Sequence, residues 1–173
     1  MSKRVVASLL LVVLLWGYGG CATQTPPDYL AFLERAFAAE IRGERNGTAF
    51  SAKISATPSA DGVTVRVEYL TPDTLSGIVV TSTCNADGGL AGDAEVSRGK
   101  TTVRLDSESL FGLLEPVRCW FLLDTHTAVQ KDDGGYVLQF ADGVTAVMDE
   151  TGLPSSYSAP SIWYDVIWWE EKF

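Results

Sequence analysis

The spacing of apolar residues changes along the chain. From Asp28 to Arg42, Tyr29, Phe32, Leu33, Ala36, Phe37 and Ile41 recur with a period near 3.6, with Glu40 on the same stripe. That period predicts an amphipathic helix, punctuated by Pro27 before it and Gly43 after it. After Asn46-Gly47 the period becomes two. Phe50, Ala52, Ile54 and Ala56 alternate with Ser51, Lys53 and Ser55, and Val63, Val65, Val67 and Tyr69 alternate with Thr64, Arg66 and Glu68. The cluster Pro58-Ser59-Ala60-Asp61-Gly62 between the two arms completes a hairpin signal. Such alternation belongs to a sheet that is covered on one face and wet on the other.

Gly77 to Thr83 reads as a third strand and Thr101 to Leu105 as a short fourth, separated by the loop from Asn85 to Gly92. Asp106 to Leu114 predicts a second helix, capped by Asp106 or Ser107 and stopped by Pro116. Val117 to Leu123 is compatible with helix or strand. Thr127 to Lys131, Tyr136 to Phe140 and Val144 to Met148 read as strands, the last two joined by Asp142-Gly143, a favoured two-residue hairpin turn. Thr151 to Pro154 turns the chain before a closing strand from Ile162 to Trp169. The fold class expected is α+β: an incomplete antiparallel barrel of roughly seven to eight strands, covered by an N-terminal helix and a mid-chain helical insert.

The first residues stand apart from this pattern. Lys3 and Arg4 precede an apolar run from Val5 to Trp16, followed by Gly17-Tyr18-Gly19-Gly20-Cys21. A basic start, a short apolar core and small residues are the parts of a secretory signal. The apolar run is shorter than the roughly 20 residues that span a bilayer. Cys21 directly after Gly20 resembles a bacterial lipobox, with cleavage before Cys21 and a diacylglyceryl group on its sulfur. Two acyl chains give durable attachment where one gives only marginal binding. The organisation expected is therefore a signal peptide over 1–20, a lipidated cysteine and proline-containing tether over 21–27, and one domain over 28–173. Its location would be extracytoplasmic, on the outer face of a plasma membrane or on an outer membrane.

Charge narrows the partners. The chain has 13 basic and 22 acidic residues, and two of the basic ones are Lys3 and Arg4 in the signal. An acidic domain with no basic cluster argues against nucleic acid. It also leaves membrane contact to the lipid anchor rather than to surface charge. Cys84 and Cys119 remain after Cys21. Outside the cytoplasm such a pair reads as a candidate disulfide, the alternative being two buried thiols.

Catalytic chemistry finds little support. The single histidine, His126, follows Asp124-Thr125, but the chain has no Gly-x-Ser-x-Gly elbow. Metal-ligand spacing is missing, and Asp132-Asp133-Gly134-Gly135 is explained by turn chemistry. No enzyme activity, metal or other cofactor is expected. The aromatic residues are more informative. Tyr29, Phe32, Leu33, Phe37 and Ile41 on the expected first helix, with Trp120 from mid-chain, are candidates to line an apolar cavity under the sheet.

The segments Tyr69-to-Val80, YLTPDTLSGIVV, and Val147-to-Ser155, VMDETGLPS, in a lipid-anchored chain of alternating strands with a helical insert, resemble the LolA/LolB/LppX superfamily of lipoprotein carriers. That resemblance implies an incomplete antiparallel barrel whose mouth is covered by helices and whose apolar hollow takes acyl chains or lipid-modified partners. The function expected is a membrane-anchored lipoprotein that binds a lipid or acyl chain, in envelope lipid or lipoprotein trafficking. The alternative is a structural or protein-interaction lipoprotein with a filled core and an envelope protein as partner.

Overall fold

A computed structural model describes residues 30–60, 62–85, 89–123, 126–132 and 134–171. Cys21 and Tyr29 lie outside the described residues. The first described element is a single 3₁₀ turn, Ala31–Glu34. Eleven strands follow: β1 (Phe37–Arg45), β2 (Thr48–Ser59), β3 (Gly62–Thr71), β4 (Ile78–Cys84), β5 (Leu90–Arg98), β6 (Thr101–Asp106), β7 (Thr127–Gln130), β8 (Tyr136–Gln139), β9 (Thr145–Met148), β10 (Pro154–Ala159) and β11 (Ile162–Glu171). Between β6 and β7 a 3₁₀ turn (Ser107–Leu110), the helix α1 (Phe111–Arg118) and a second 3₁₀ turn (Cys119–Leu122) form one continuous helical segment.

All eleven strands form one antiparallel sheet, in the order β6-β5-β4-β3-β2-β1-β11-β10-β9-β8-β7. The first strand thus sits in the middle, paired to β2 on one side and to the last strand on the other. The first six strands meander out to one edge. The helical segment then returns the chain to the other edge, and five more strands meander back to the centre. The route requires the helical segment to pass over the sheet. Its buried Leu110, Leu114, Val117 and Trp120 cover the apolar face built by Ile41, Ile54, Val65, Val67 and Val80.

This architecture corrects the expected one in two respects. It has eleven strands rather than seven or eight, because the sequence pattern does not mark β1, β5 and β10 as strands. The amphipathic helix from Asp28 to Arg42 is not formed among the described residues; Phe37 to Arg45 is the central strand. Leu33, Phe37 and Ile41 are four apart and fit either period. The burial pattern discriminates: Phe37, Ala39, Ile41 and Gly43 are buried while Ala38, Glu40 and Arg42 are more open. Two flanking strands pair with β1 along its whole length, and that tertiary pairing outweighs the helix propensity of a Phe-Ala-Ala-Glu run. The mid-chain helix is present, but it continues through Pro116 to Arg118 instead of stopping there.

Gly43 marks the tightest backbone approach. A Cβ placed on it would collide with the carbonyl oxygen of Trp163 and lie 2.5 Å from Cα of Tyr164. Only glycine lets β1 and β11 close at this point.

Candidate functional site

Aromatic rings run through the interior as a chain of contacts. Phe32 meets Trp120 edge-on at 5.4 Å, Trp120 meets Tyr157 at 5.4 Å, and Tyr157 stacks on Tyr164 at 5.5 Å. Tyr164 then meets Phe50 at 6.5 Å, and Phe50 meets Tyr69 at 6.4 Å. At the Phe32 end the chain is closed. Phe37 stacks on Trp169 at 4.8 Å, and Phe32 contacts both.

The proposed lining residues are found here. Phe32, Phe37, Ile41 and Trp120 are buried in this packing and Leu33 is half-buried. Ile41, Leu114 and Val117 have no accessible surface and Trp120 has 1%. Among the described residues, those that the sequence marks as lining a hollow pack against one another and against Trp120, which the helical segment carries in.

The cysteines are also placed differently from expectation. Cys84 and Cys119 are both free and buried, so the candidate disulfide is not formed. Cys119 Sγ lies 3.3 Å from the Tyr164 hydroxyl and 3.5 Å from the carbonyl oxygen of Pro116, to which Tyr164 donates at 2.8 Å. Burial pushes the Cys119 thiol up to about 12 and the Cys84 thiol up to about 11, with Arg118 pulling Cys84 the other way. Neither thiol is an activated nucleophile. His126 packs its ring against Phe140 at 5.4 Å. Among the described residues no group of three or more His, Cys, Asp or Glu side chains is arranged to hold a metal ion.

At the opposite end of β1 the interior opens. Here the aromatic chain terminates in a cleft of about 280 Å³. Phe50, Tyr69, Pro72, Leu75 and Pro116 form its apolar wall, and Arg45, Asn46 and Thr48 its polar rim. Local sequence explains the gathering. Asn46 (φ 48°) and Gly47 (φ 79°) make the tight turn that ends β1 and starts β2. Pro72 ends β3, and its carbonyl accepts from the backbone N–H groups of Leu75 and Ser76, which folds that connection over the opening. Pro116 is brought in by α1.

The rim is held by a small polar network. Arg45 Nε lies 2.7 Å from Glu115 Oε2, and Ser161 Oγ donates to Glu115 Oε1 at 3.1 Å. The Asn46 N–H donates to the Ser161 carbonyl at 2.9 Å. The Arg45 guanidinium packs over Gly112, where an added Cβ would meet Nη2 at 2.6 Å. Tyr69 donates its hydroxyl hydrogen to the Leu113 carbonyl at 3.0 Å. Burial pushes that hydroxyl up to about 12, with Arg45 lowering it and Glu115 raising it. These contacts tie the first turn, α1 and the turn before β11 together, so the cleft has a fixed rim. It offers an apolar seat beside the Arg45–Glu115 ion pair.

The sequence pattern singles out none of these cleft residues as a site. Phe50 and Tyr69 read as core positions of the hairpin. Their signal is their place at the arm ends, next to Asn46-Gly47 and Pro72, where a strand's inward side chain leaves the covered sheet.

No protein-family model and no curated protein matches the chain. Solved structures do. An uncharacterized conserved protein from Thermus thermophilus is similar with a TM-score of 0.53 at 15% identity, over 86% of this chain and 88% of that one. MucB is similar with a TM-score of 0.52 at 17% identity, over 84% of this chain and 57% of MucB. A putative outer membrane lipoprotein-sorting protein domain from Vibrio parahaemolyticus matches with a TM-score of 0.45 at 9% identity, over 80% and 86% of the two chains. At these identities the likeness is one of fold. What they share is the fold: an open, barrel-like antiparallel sheet crossed by a helical segment.

Proposed function

We propose that this protein is an extracytoplasmic binding protein built on the carrier fold, anchored to a membrane by lipid on Cys21. It seats one small apolar group, such as the end of an acyl chain, in the Phe50–Tyr69 cleft. The observation that carries this reading is the cleft itself: an apolar wall of Phe50, Tyr69, Leu75 and two prolines with Arg45 at the rim. Its volume decides what it accepts. A cavity of ~150 Å³ holds a benzene, and ligand pockets usually start near ~300 Å³. The cleft therefore suits a single chain end or side chain and is too small for a whole diacyl lipid. Extracytoplasmic placement is supported by the signal-like start and the Gly20-Cys21 junction. No catalysis is assigned.

Native mass spectrometry of the purified mature protein, together with titration of a fluorescent fatty-acid probe, tests the reading. The expected result is a retained or exchangeable ligand whose binding is lost when Leu75→Trp fills the cleft. A ligand-free mass with no probe binding defeats it.

A second reading is favoured by the filled interior, with Ile41, Leu114, Val117 and Trp120 closed to solvent. In that reading the protein is an interaction module, and the cleft receives an apolar side chain of an envelope protein. A photo-crosslinking residue at position 75 would then capture one defined protein in cells, and capture of lipid alone would count against it.

A further inference from the structure

The outer face of the sheet carries a second apolar feature, away from the cleft. On β11, Trp163, Ile167 and Trp168 are 46%, 54% and 49% exposed. The pairing between β1 and β11 slips by one residue beside them: Ile41 opposes Val166, whereas Glu40 opposes Trp168, leaving Ile167 extra. This bulge has a structural consequence. Trp169 is returned to the inner face, where it stacks on Phe37, while Ile167 and Trp168 are both turned out. A regular strand would have sent one of these two neighbours inward.

Their position relative to the chain's entry into the domain gives the patch a candidate occupant. Phe37, the first residue of β1, opposes Glu171. Phe32, two residues after the first described residue, packs on Trp169 at 5.3 Å. The nine residues from Cys21 to position 29 therefore join the domain at the Trp168 end of β11. Nine residues reach at most ~30 Å when fully extended. An indole with an apolar body and a polar N–H is suited to the lipid–water boundary. Lys53, Arg66 and Glu170 flank Trp168 in a shallow groove, where Arg66 is paired with Glu68 at 2.7 Å.

We propose that Ile167 and Trp168 make a side-chain contact with the lipid surface to which Cys21 is tethered. The proposal rests on the anchor reading above. It goes beyond that reading by giving the domain an orientation. Arg45 and the cleft lie eight strand residues from Phe37, about 26 Å along β1, so the cleft end is turned away from the bilayer. Because the chain is acidic overall, an anionic surface repels its charge, and the contact is made by the apolar side chains of Ile167 and Trp168.

The test uses the full-length lipidated protein in vesicles of phosphatidylethanolamine and phosphatidylglycerol with brominated acyl chains. Tryptophan emission should be quenched. Trp168→Phe should remove at least half of that quenching, while Trp163→Phe, about 13 Å along the strand, should retain most of it. Quenching should not fall when salt is raised. Equal quenching in wild type and Trp168→Phe, or none at all, overturns the proposal. Protection of Trp168 by a co-purified protein in place of lipid also overturns it. The intact mass separates the two layers. A chain without lipid on Cys21 removes the anchor reading and this proposal with it, whereas a lipidated chain with unquenched Trp168 removes this proposal alone.

Discussion

The two ends of β1 are built from the same materials and finish differently. At Phe37 the interior is closed by four rings, Phe32, Phe37, Trp120 and Trp169, in edge and stacked contacts. At Arg45 the interior ends in the cleft between Phe50, Tyr69, Leu75 and Pro116. Both ends are aromatic, so composition does not separate them. The helical segment does. It delivers an indole into the first end and presents the Pro116 ring and Glu115, the ion-pair partner of Arg45, at the second. Among the described residues, a single inserted side chain closes one end of the open sheet and leaves apolar space at the other.

Four changes test this contrast, in decreasing order of effect. Trp120→Ala should cost about 3–5 kcal/mol of stability, since it removes the ring that Phe32, Tyr157 and Tyr164 pack against. Urea unfolding would show it, and a loss below about 1 kcal/mol would mean that the closed end is not tightly packed. Gly43→Ala should cost about 1–3 kcal/mol, because its Cβ would collide with the Trp163 carbonyl and the Tyr164 backbone, and β1 and β11 must separate. A neutral result would show that the strands are not held this close.

Alkali should weaken the whole interior. Cys84, Cys119 and Tyr69 have pKa values raised by burial, to about 11, about 12 and about 12. A group with a raised native pKa binds its proton more tightly folded than unfolded. The stability they contribute is therefore complete below the ordinary values of 9.0 for the thiols and 10.0 for the phenol, and is lost as pH rises through about 11–12. Urea midpoints measured from pH 8 to 12 should be level at first and then fall. Thiolate absorbance appearing near pH 9 in the folded protein would contradict the burial of both cysteines. The smallest stability effect belongs to the cleft. Leu75→Ala, at a half-buried position, should cost under about 1 kcal/mol in folding and yet weaken acyl-chain binding about tenfold. Equal losses in folding and binding would place Leu75 in the core rather than in a site.

Much of the sheet is legible in the sequence because its alternation is undiluted. The hairpin of β2 and β3 shows it on both arms, and Asp142 (φ 58°) and Gly143 (φ 75°) make the reversal read from Asp-Gly. The strands that the pattern hides share a cause. β5 buries Ala94 among exposed acidic neighbours, and β10 buries Tyr157 among serines, so each offers one strong inward residue where a pattern needs several. β1 differs, since Phe37 and Ile41 satisfy both periods and only pairing with β2 and β11 decides between them. That single ambiguity displaces the candidate site. With Phe37 and Ile41 on a covering helix, the space beneath them reads as a ligand hollow; on the central strand they are its floor, already occupied by Leu114, Val117 and Trp120. The cleft depends on side chains from β1, β2, β3, the β3–β4 connection and α1, which no local pattern links.

The most direct measurement is the affinity of the mature protein for straight-chain carboxylates of six to sixteen carbons. Each newly buried methylene contributes about 0.8 kcal/mol, close to a fourfold gain in affinity. A cleft of about 280 Å³ is filled by roughly ten carbons. Affinity should therefore climb to about that length and then level off, and Leu75→Trp should abolish binding at every length. A gain that continues undiminished to sixteen carbons would reveal an open hollow through the interior and contradict the closed end described here.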